Sequence, residues 1–345
     1  MSHDDDDDVT PLEHPFAQYV SALGRGKRGA RPLTQAEAFD AMTMILSGAA
    51  TPEQIGAFLM LMRIKEETSE ELAGIVLAIQ SQLPKLAATD QVALLDWSAY
   101  AGKRRQLPWF VLSALLLAHN NIPVLLHGLA SRADGRLYLR RTLSALHVPE
   151  EMSLETAVTA IKRHGFAFIA LETLSPPLAR LVQLRDLLGL RSPVHSAVRM
   201  LNPLQAPYSL HGIFHPGYDA RHQEAAVLIG QPHLAVWKGD GGEGERNPDL
   251  PCNIYFKHGD VESMETWPPL FTQRHLKETN MDPCVLMETW QGKREHEYGS
   301  ATVIATAAIA LRLLRKANTA DAALELARSM WETRNQASLY PPVTF

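Results

Sequence analysis

The stretch "LLDWSAYAGKRRQLPWFVLSALLLAHNNIPVLLH", Leu94–His127, decides the fold class. Val92–Trp97 is a short apolar run of strand length. Pro108–Asn120 is strongly apolar and long enough for a helix, with Pro108 near the start, where its missing N–H costs nothing. Ile122–His127 is short, apolar and bounded by turn signals, which predicts a second strand. A strand, a helix and a strand with short joints argue for a parallel α/β unit. The joint before the helix raises a question of its own. A turn there often cradles a phosphate on backbone N–H groups that glycines free for close approach. This one carries Lys103, Arg104 and Arg105 in a row and a single glycine, Gly102.

Upstream, Pro15–Leu23 reads as a short amphipathic helix ended by a basic loop, Gly24–Pro32. Thr34-Gln35-Ala36-Glu37 is a capping box that opens a helix through Leu46, with Ala38, Met42, Ile45 and Leu46 on one face. Thr51-Pro52-Glu53-Gln54 starts the next, striped by Ile55, Phe58, Leu59 and Met62. Ser69 is expected to cap a further helix through Ile79, and Pro84 lies beyond its end. Downstream, strands are expected at Phe166–Leu171, Ser196–Arg199, Ser209–Phe214, His233–Trp237 and Cys252–Phe256. Helices are expected at Pro176–Leu188, His222–Ile229, Gly299–Lys316 and Thr319–Arg334. Lys238–Pro251, rich in Gly, Asp and Glu, reads as a mobile loop. The organisation predicted is an acidic, disordered tail (1–10), a small all-helical domain (11–85) and a larger α/β domain with a mostly parallel central sheet (86–345). Helix 176–189 is expected to pack onto the helical domain.

The chain has 345 residues, 46% of them hydrophobic, enough for one large and one small domain. Its longest apolar runs fall well short of the roughly 20 residues of a membrane span. Asp4–Asp8 reads as a solvated tail, and Cys252 and Cys284 have neither metal-type nor redox-type spacing, which fits a cytoplasmic protein. The net charge of −5 does not suggest a nucleic-acid binder, but its distribution does suggest a local anion partner. From Trp97 to His147, Lys103, Arg104, Arg105, Arg132, Arg136, Arg140 and Arg141 face one acid, Asp134. A second acid-free cluster, "GRGKRGAR", holds Arg25, Lys27, Arg28 and Arg31. The competing reading for either cluster is a solvated basic surface.

Leu33–Ile79, "LTQAEAFDAMTMILSGAATPEQIGAFLMLMRIKEETSEELAGIVLAI", resembles the helical domain of the anthranilate phosphoribosyltransferase family (glycosyltransferase family 3). The likeness continues in order through "LLDWSAYAG", "IPVLLHG", "LVQLRDLLGLRSP", "RMLNPLQAP", "YGSATVIATAAIALRLL" and "TADAALELARSMWETR". It implies a helical domain joined to an α/β domain, and a homodimer built through the helical domains. The family's phosphoribosyl pyrophosphate loop reads Gly-Thr-Gly-Gly-Asp; Ala99-Tyr100-Ala101-Gly102-Lys103 stands there. Its Lys-His-Gly-Asn motif is replaced by Leu126-His127-Gly128-Leu129. Its magnesium-holding Asp-Glu pair aligns with Gly244 and Glu245, with Asp240 and Glu243 nearby as possible substitutes. Arg185 or Arg191 matches the arginine that contacts anthranilate. The resemblance thus leaves a vestigial substrate site at Ala99, Ala101, Gly102, His127 and Gly128, and a vestigial metal position at Glu245.

Three altered motifs speak against the parent reaction, which depends on oriented donors and a metal clamp. "AGKRRQLPW", "GRGKRGAR", "LHGLASRADGR" and "KGDGGEGERNPD" resemble the YbiB-type branch of the family. That resemblance implies a non-catalytic homodimer binding DNA or RNA largely without regard to sequence. The expected phosphate contacts are Lys103, Arg104, Arg105, Arg25, Lys27, Arg28, Arg31, Arg136 and Arg140, with Tyr100 stacking on bases. Arg136 and Arg140 would share a face if their segment is helical. Trp97 and Trp109 are expected in the core. No cofactor is expected, magnesium entering only under the alternative, a transferase using phosphoribosyl pyrophosphate. A regulator that binds a phosphorylated metabolite is the third reading.

Overall fold

The computed structural model describes residues 13–26, 28–85, 87, 91–132, 134–215 and 217–340. The Asp4–Asp8 run and Lys27 lie outside the described residues.

Four helices open the chain: α1 (Ala17–Gly24), α2 (Gln35–Leu46), α3 (Pro52–Lys65) and α4 (Ser69–Gln82). Reciprocal capping boxes start three of them, Thr34 with Glu37, Thr51 with Gln54 and Thr68 with Glu71. The third cap is Thr68, one residue before the expected Ser69. Thr68 Oγ1 accepts from the Glu71 N–H at 3.1 Å, and the Glu71 carboxylate accepts from the Thr68 N–H at 2.8 Å.

The larger unit runs β1 (Leu95–Ala99), α5 (Phe110–His119), β2 (Val124–Gly128), α6 (Leu139–Ala145), α7 (Leu154–His164), β3 (Phe166–Ala170), α8 (Leu171–Leu174), α9 (Pro176–Gln183), α10 (Arg185–Leu188) and α11 (Val194–Ala197). It continues through β4 (Tyr208–Ile213), α12 (Tyr218–Leu228), β5 (His233–Lys238), β6 (Cys252–His258), β7 (Val261–Trp267), α13 (Cys284–Trp290), α14 (Glu297–Leu313) and α15 (Ala320–Glu332). One seven-stranded sheet has the order β3-β2-β1-β4-β5-β6-β7. β1 to β5 pair in parallel; β6 and β7 add an antiparallel hairpin at one edge.

Alternation along the strands divides the interior into two cores. Leu95, Trp97, Leu126, Phe168, Leu210 and Trp237 face α5, α14 and α15. Leu125, Ile169, Ile213, Leu234 and Val236 face the other way, into a core shared with α2, α3, α4, α9 and α12. That second face also buries polar residues: Asp96, Ser98, His127, Ser209 and His211. Strand order reverses between β1 and β4, so a crevice opens at their carboxyl ends, the usual ligand position in an open α/β sheet.

Several elements differ from expectation. Ser196–Arg199 is not a strand but the end of α11 and a 3-10 turn, Val198–Met200. Val194, Ala197, Val198, Met200 and Leu201 are all buried, and a short run buried on every side carries no periodicity to separate helix from strand. Pro176–Leu188 divides into α9 and α10. Lys238–Pro251 is packed inside the molecule rather than a surface loop, with Glu243, Glu245 and Arg246 buried. The edge strand β7, with the mostly exposed sequence VESMETW, gave no apolar signal.

Candidate functional site

The turn after β1 lies at the crevice. Gly102 takes φ +66°, which aims two successive N–H groups the same way. Both donate to one atom, Glu243 Oε1, from Ala101 N at 2.8 Å and Gly102 N at 2.5 Å. The carbonyls of the turn are held from behind: Arg136 donates to Ala101 O at 3.0 Å and Gly102 O at 3.2 Å. Lys103 continues the turn by pairing its backbone with Leu137, at 2.9 and 2.7 Å.

Lys103 itself is 1% exposed. Its ammonium lies between two carboxylates, Glu245 at 2.5 Å and Asp240. Glu245 also accepts from the Phe110 N–H at 2.9 Å, at the start of α5. Burial pushes the Glu245 carboxyl up to about 7, with Lys103 opposing the rise. Burial likewise raises Glu243, offset by Arg199 and by the two N–H donors. For Lys103, burial acts to lower the pKa, but Glu245 and Asp240 outweigh it and raise it. Gly239 and Gly212 make the arrangement possible. A Cβ on Gly239 would lie 1.6 Å from Glu243 O, and one on Gly212 would lie 2.2 Å from Glu243 C.

These positions correct three expectations, for Lys103, for Tyr100 and for the pair Arg136 and Arg140. Lys103 cannot meet a phosphate from inside the molecule, because its charge is already neutralised there. Tyr100 is 4% exposed and does not offer a ring to a base; its hydroxyl lies 2.7 Å from His127 Nδ1. His127 Nε2 lies 3.3 Å from Asp96 Oδ2, completing a buried relay. Arg136 and Arg140 do not share a helix face, since α6 begins at Leu139. Arg140 makes a two-point contact with Glu150, at 2.9 and 2.8 Å, and Arg31 pairs with Glu37. Arg25 donates to Ser21 Oγ at 2.9 Å. Arg28, Arg104 and Arg105 are exposed, and no side-chain hydrogen bond or ion pair holds them among the described residues. Trp97 and Trp109 are fully buried, as expected.

The same crevice holds a cationic cavity between the two units, lined by Arg63, Arg191, His195, Arg199, Tyr218 and His222, with Glu67 as its acid. Arg185 lies 3.9 Å from Asp134, whereas Arg191 has no ion pair or hydrogen bond among the described residues and reaches the cavity. Burial and then Arg199, Arg185 and Arg136 push the Arg191 guanidinium down to about 10, so it stays charged at neutral pH. His195 and His222 are each lowered to about 3, chiefly by burial, and are neutral there. The sequence held one usable signal for this group: Arg191, His195 and Arg199 recur every fourth residue.

The helical bundle domain of a glycosyl transferase family matches residues 17–82. An uncharacterized protein of Aquifex aeolicus is 30% identical over 254 residues, covering 74% of this chain and 76% of that one. The chain belongs to the anthranilate phosphoribosyltransferase-like superfamily, glycosyltransferase family 3. Within the superfamily, an anthranilate phosphoribosyltransferase of a Geobacillus species is 25% identical over 88% of this chain and 91% of that one. The fold matches the Thermus thermophilus enzyme of that name with TM-score 0.76 at 21% identity, over 91% of this chain and 94% of the other. It also matches the Saccharomyces cerevisiae enzyme, solved in complex with phosphoribosyl pyrophosphate and magnesium, with TM-score 0.76 at 14% identity over 94% and 95%.

The superfamily's metal can be tested against these residues. Glu245, which aligns with the family's metal-holding glutamate, and Asp240 hold the Lys103 ammonium between them. Gly244 supplies no ligand where the family has Asp. Among the described residues no group of three or more His, Cys, Asp or Glu side chains is placed to hold a metal ion. Magnesium needs several oxygen ligands in a near-octahedral shell, and the site as built does not fit it. Among the described residues no helix is long and apolar enough to cross a membrane.

Proposed function

We propose that this member of the superfamily is a non-catalytic, cytoplasmic binder of nucleic-acid phosphates, working as a homodimer through its helical domains. One observation carries the reading: the N–H pair of the phosphate loop is already taken by Glu243. A diphosphate would have to displace a buried carboxylate and bring its own charge against Glu243 and Glu245. Phosphoryl-bearing substrates are held by oriented donors and metal ions; here the N–H donors are engaged by Glu243, and the carboxylates of Asp240 and Glu245 by Lys103. What the crevice leaves exposed are cations at its rim, Arg104 and Arg105, with Arg28 and Arg25 on the helical unit. Such residues suit a polymer of phosphates, whose binding gains from release of condensed counterions.

Phosphoribosyl transfer is the second reading, favoured by the names of the relatives and by the unpaired Arg191 in the cavity, which could receive a carboxylate. The two are separable in one preparation. Phosphoribosyl pyrophosphate should survive incubation with protein, anthranilate and magnesium, while oligonucleotides of arbitrary sequence should shift in a salt-dependent way. Magnesium-dependent consumption of phosphoribosyl pyrophosphate with no oligonucleotide binding would establish the transferase instead.

A further inference from the structure

We infer that Glu243 and Lys103 are built-in surrogates for a bound diphosphate and its cation, and that Glu243 determines whether the loop after β1 can take a phosphate at all. This rests on the reading that the substrate site is closed, and it names the closing residue.

Three observations carry it. The Glu243 carboxylate occupies a two-donor anion nest, and one oxygen takes both bonds. Its other oxygen, Oε2, is buried with no hydrogen-bond partner among the described residues. A buried carboxylate oxygen left unpaired calls for an explanation, and a carboxylate standing in for a larger anion supplies one. Two carboxylates, Asp240 and Glu245, then surround an ammonium, so a fixed cation sits beside the fixed anion. The backbone is shaped for this delivery, since Gly239 and Gly212 leave room only for the Glu243 peptide. The N–H donors of the loop are therefore met from within the chain. Anion and cation come from the chain itself, and exchangeable ligands are shut out.

The test uses the full chain, wild type and Glu243→Ala, with inorganic pyrophosphate as the probe and calorimetry and thermal unfolding as readouts. Wild type should neither bind pyrophosphate nor gain in Tm. Glu243→Ala should lose about 4 °C in Tm, recover at least half of it with pyrophosphate, and bind the probe at least about tenfold tighter than wild type. If the alanine variant does not fold, Glu243→Gln keeps an acceptor in the nest without the charge, and it should also bind pyrophosphate more tightly than wild type. Equal responses from wild type and the folded variant, whether both bind or neither does, overturn the inference. Oligonucleotide shifts run on the same samples keep the two readings apart. Loss of nucleic-acid binding in wild type refutes the proposed function and leaves the Glu243 result standing.

Discussion

At the scale of single residues, the basic triplet is not one feature. Lys103 is structural: Lys103→Met strands the buried carboxylate of Glu245 and unpairs the partly exposed Asp240, and breaking a buried pair such as Lys103–Glu245 this way costs about 3–5 kcal/mol. We expect a large loss in urea midpoint for Lys103→Met. Oligonucleotide affinity per folded molecule should be unchanged. Arg104→Glu/Arg105→Glu should do the opposite, since exposed positions without partners usually change stability by no more than about 0.5 kcal/mol. The sequence made the triplet visible but not its division. Burial of Lys103 depends on Asp240 and Glu245, more than a hundred residues away, on a segment whose glycine and acid content reads as a loop. The mismatch with the family's loop at Ala99-Tyr100-Ala101 was legible, because it needs only residue types. That Glu243 fills the gap was not, because it needs the β5 register and the room left by Gly239.

At the scale of elements, local rules served well where they were sufficient. The capping boxes of α2 and α3 start where Thr34 and Thr51 predicted, and removing Thr34 Oγ1 with Thr34→Ala should cost about 1 kcal/mol, read from the denaturation midpoint. They failed where tertiary burial decides, as at α11 and its 3-10 turn. The α11–α12 region also sets a pH dependence. His195 and His222 titrate near 3 in the fold, and His211 is lowered well below the usual value by burial; all three are protonated near 6.5 when unfolded. Between these limits the unfolded chain binds more protons, so the stabilisation is present above about pH 6.5 and is lost as pH falls. Glu245, raised to about 7, contributes in the opposite sense between about 4.5 and 7. The difference between variants isolates one group. His222→Asn should remove close to one proton from the slope, so the stability gap between wild type and variant narrows as pH drops from 7 to about 4 by roughly 1.4 kcal/mol per unit below the unfolded pKa. A gap independent of pH would mean that His222 is not held neutral.

At the scale of the whole molecule, a scaffold shared with phosphoribosyltransferases carries a crevice whose anion and cation positions are filled by its own side chains. Superfamily and architecture were legible because the helical stripes, the β1–α5–β2 pattern and the order of motifs are local and sequential. The balance of charge was not, since between Trp97 and His147 seven cations stand against one acid in sequence, while the fold pairs four of them, Lys103, Arg132, Arg136 and Arg140, with neighbouring groups. A fold hosts many chemistries, so the deciding test reads binding directly. The measurement is the affinity of wild type and Arg104→Glu/Arg105→Glu for a fluorescent single-stranded oligonucleotide and its duplex across a salt series. Wild type should show a steep linear loss of log affinity with log salt, and the variant a slope shallower by about one unit per arginine. Absence of binding by wild type at low salt, or a variant whose affinity and slope match wild type, would contradict the proposed function.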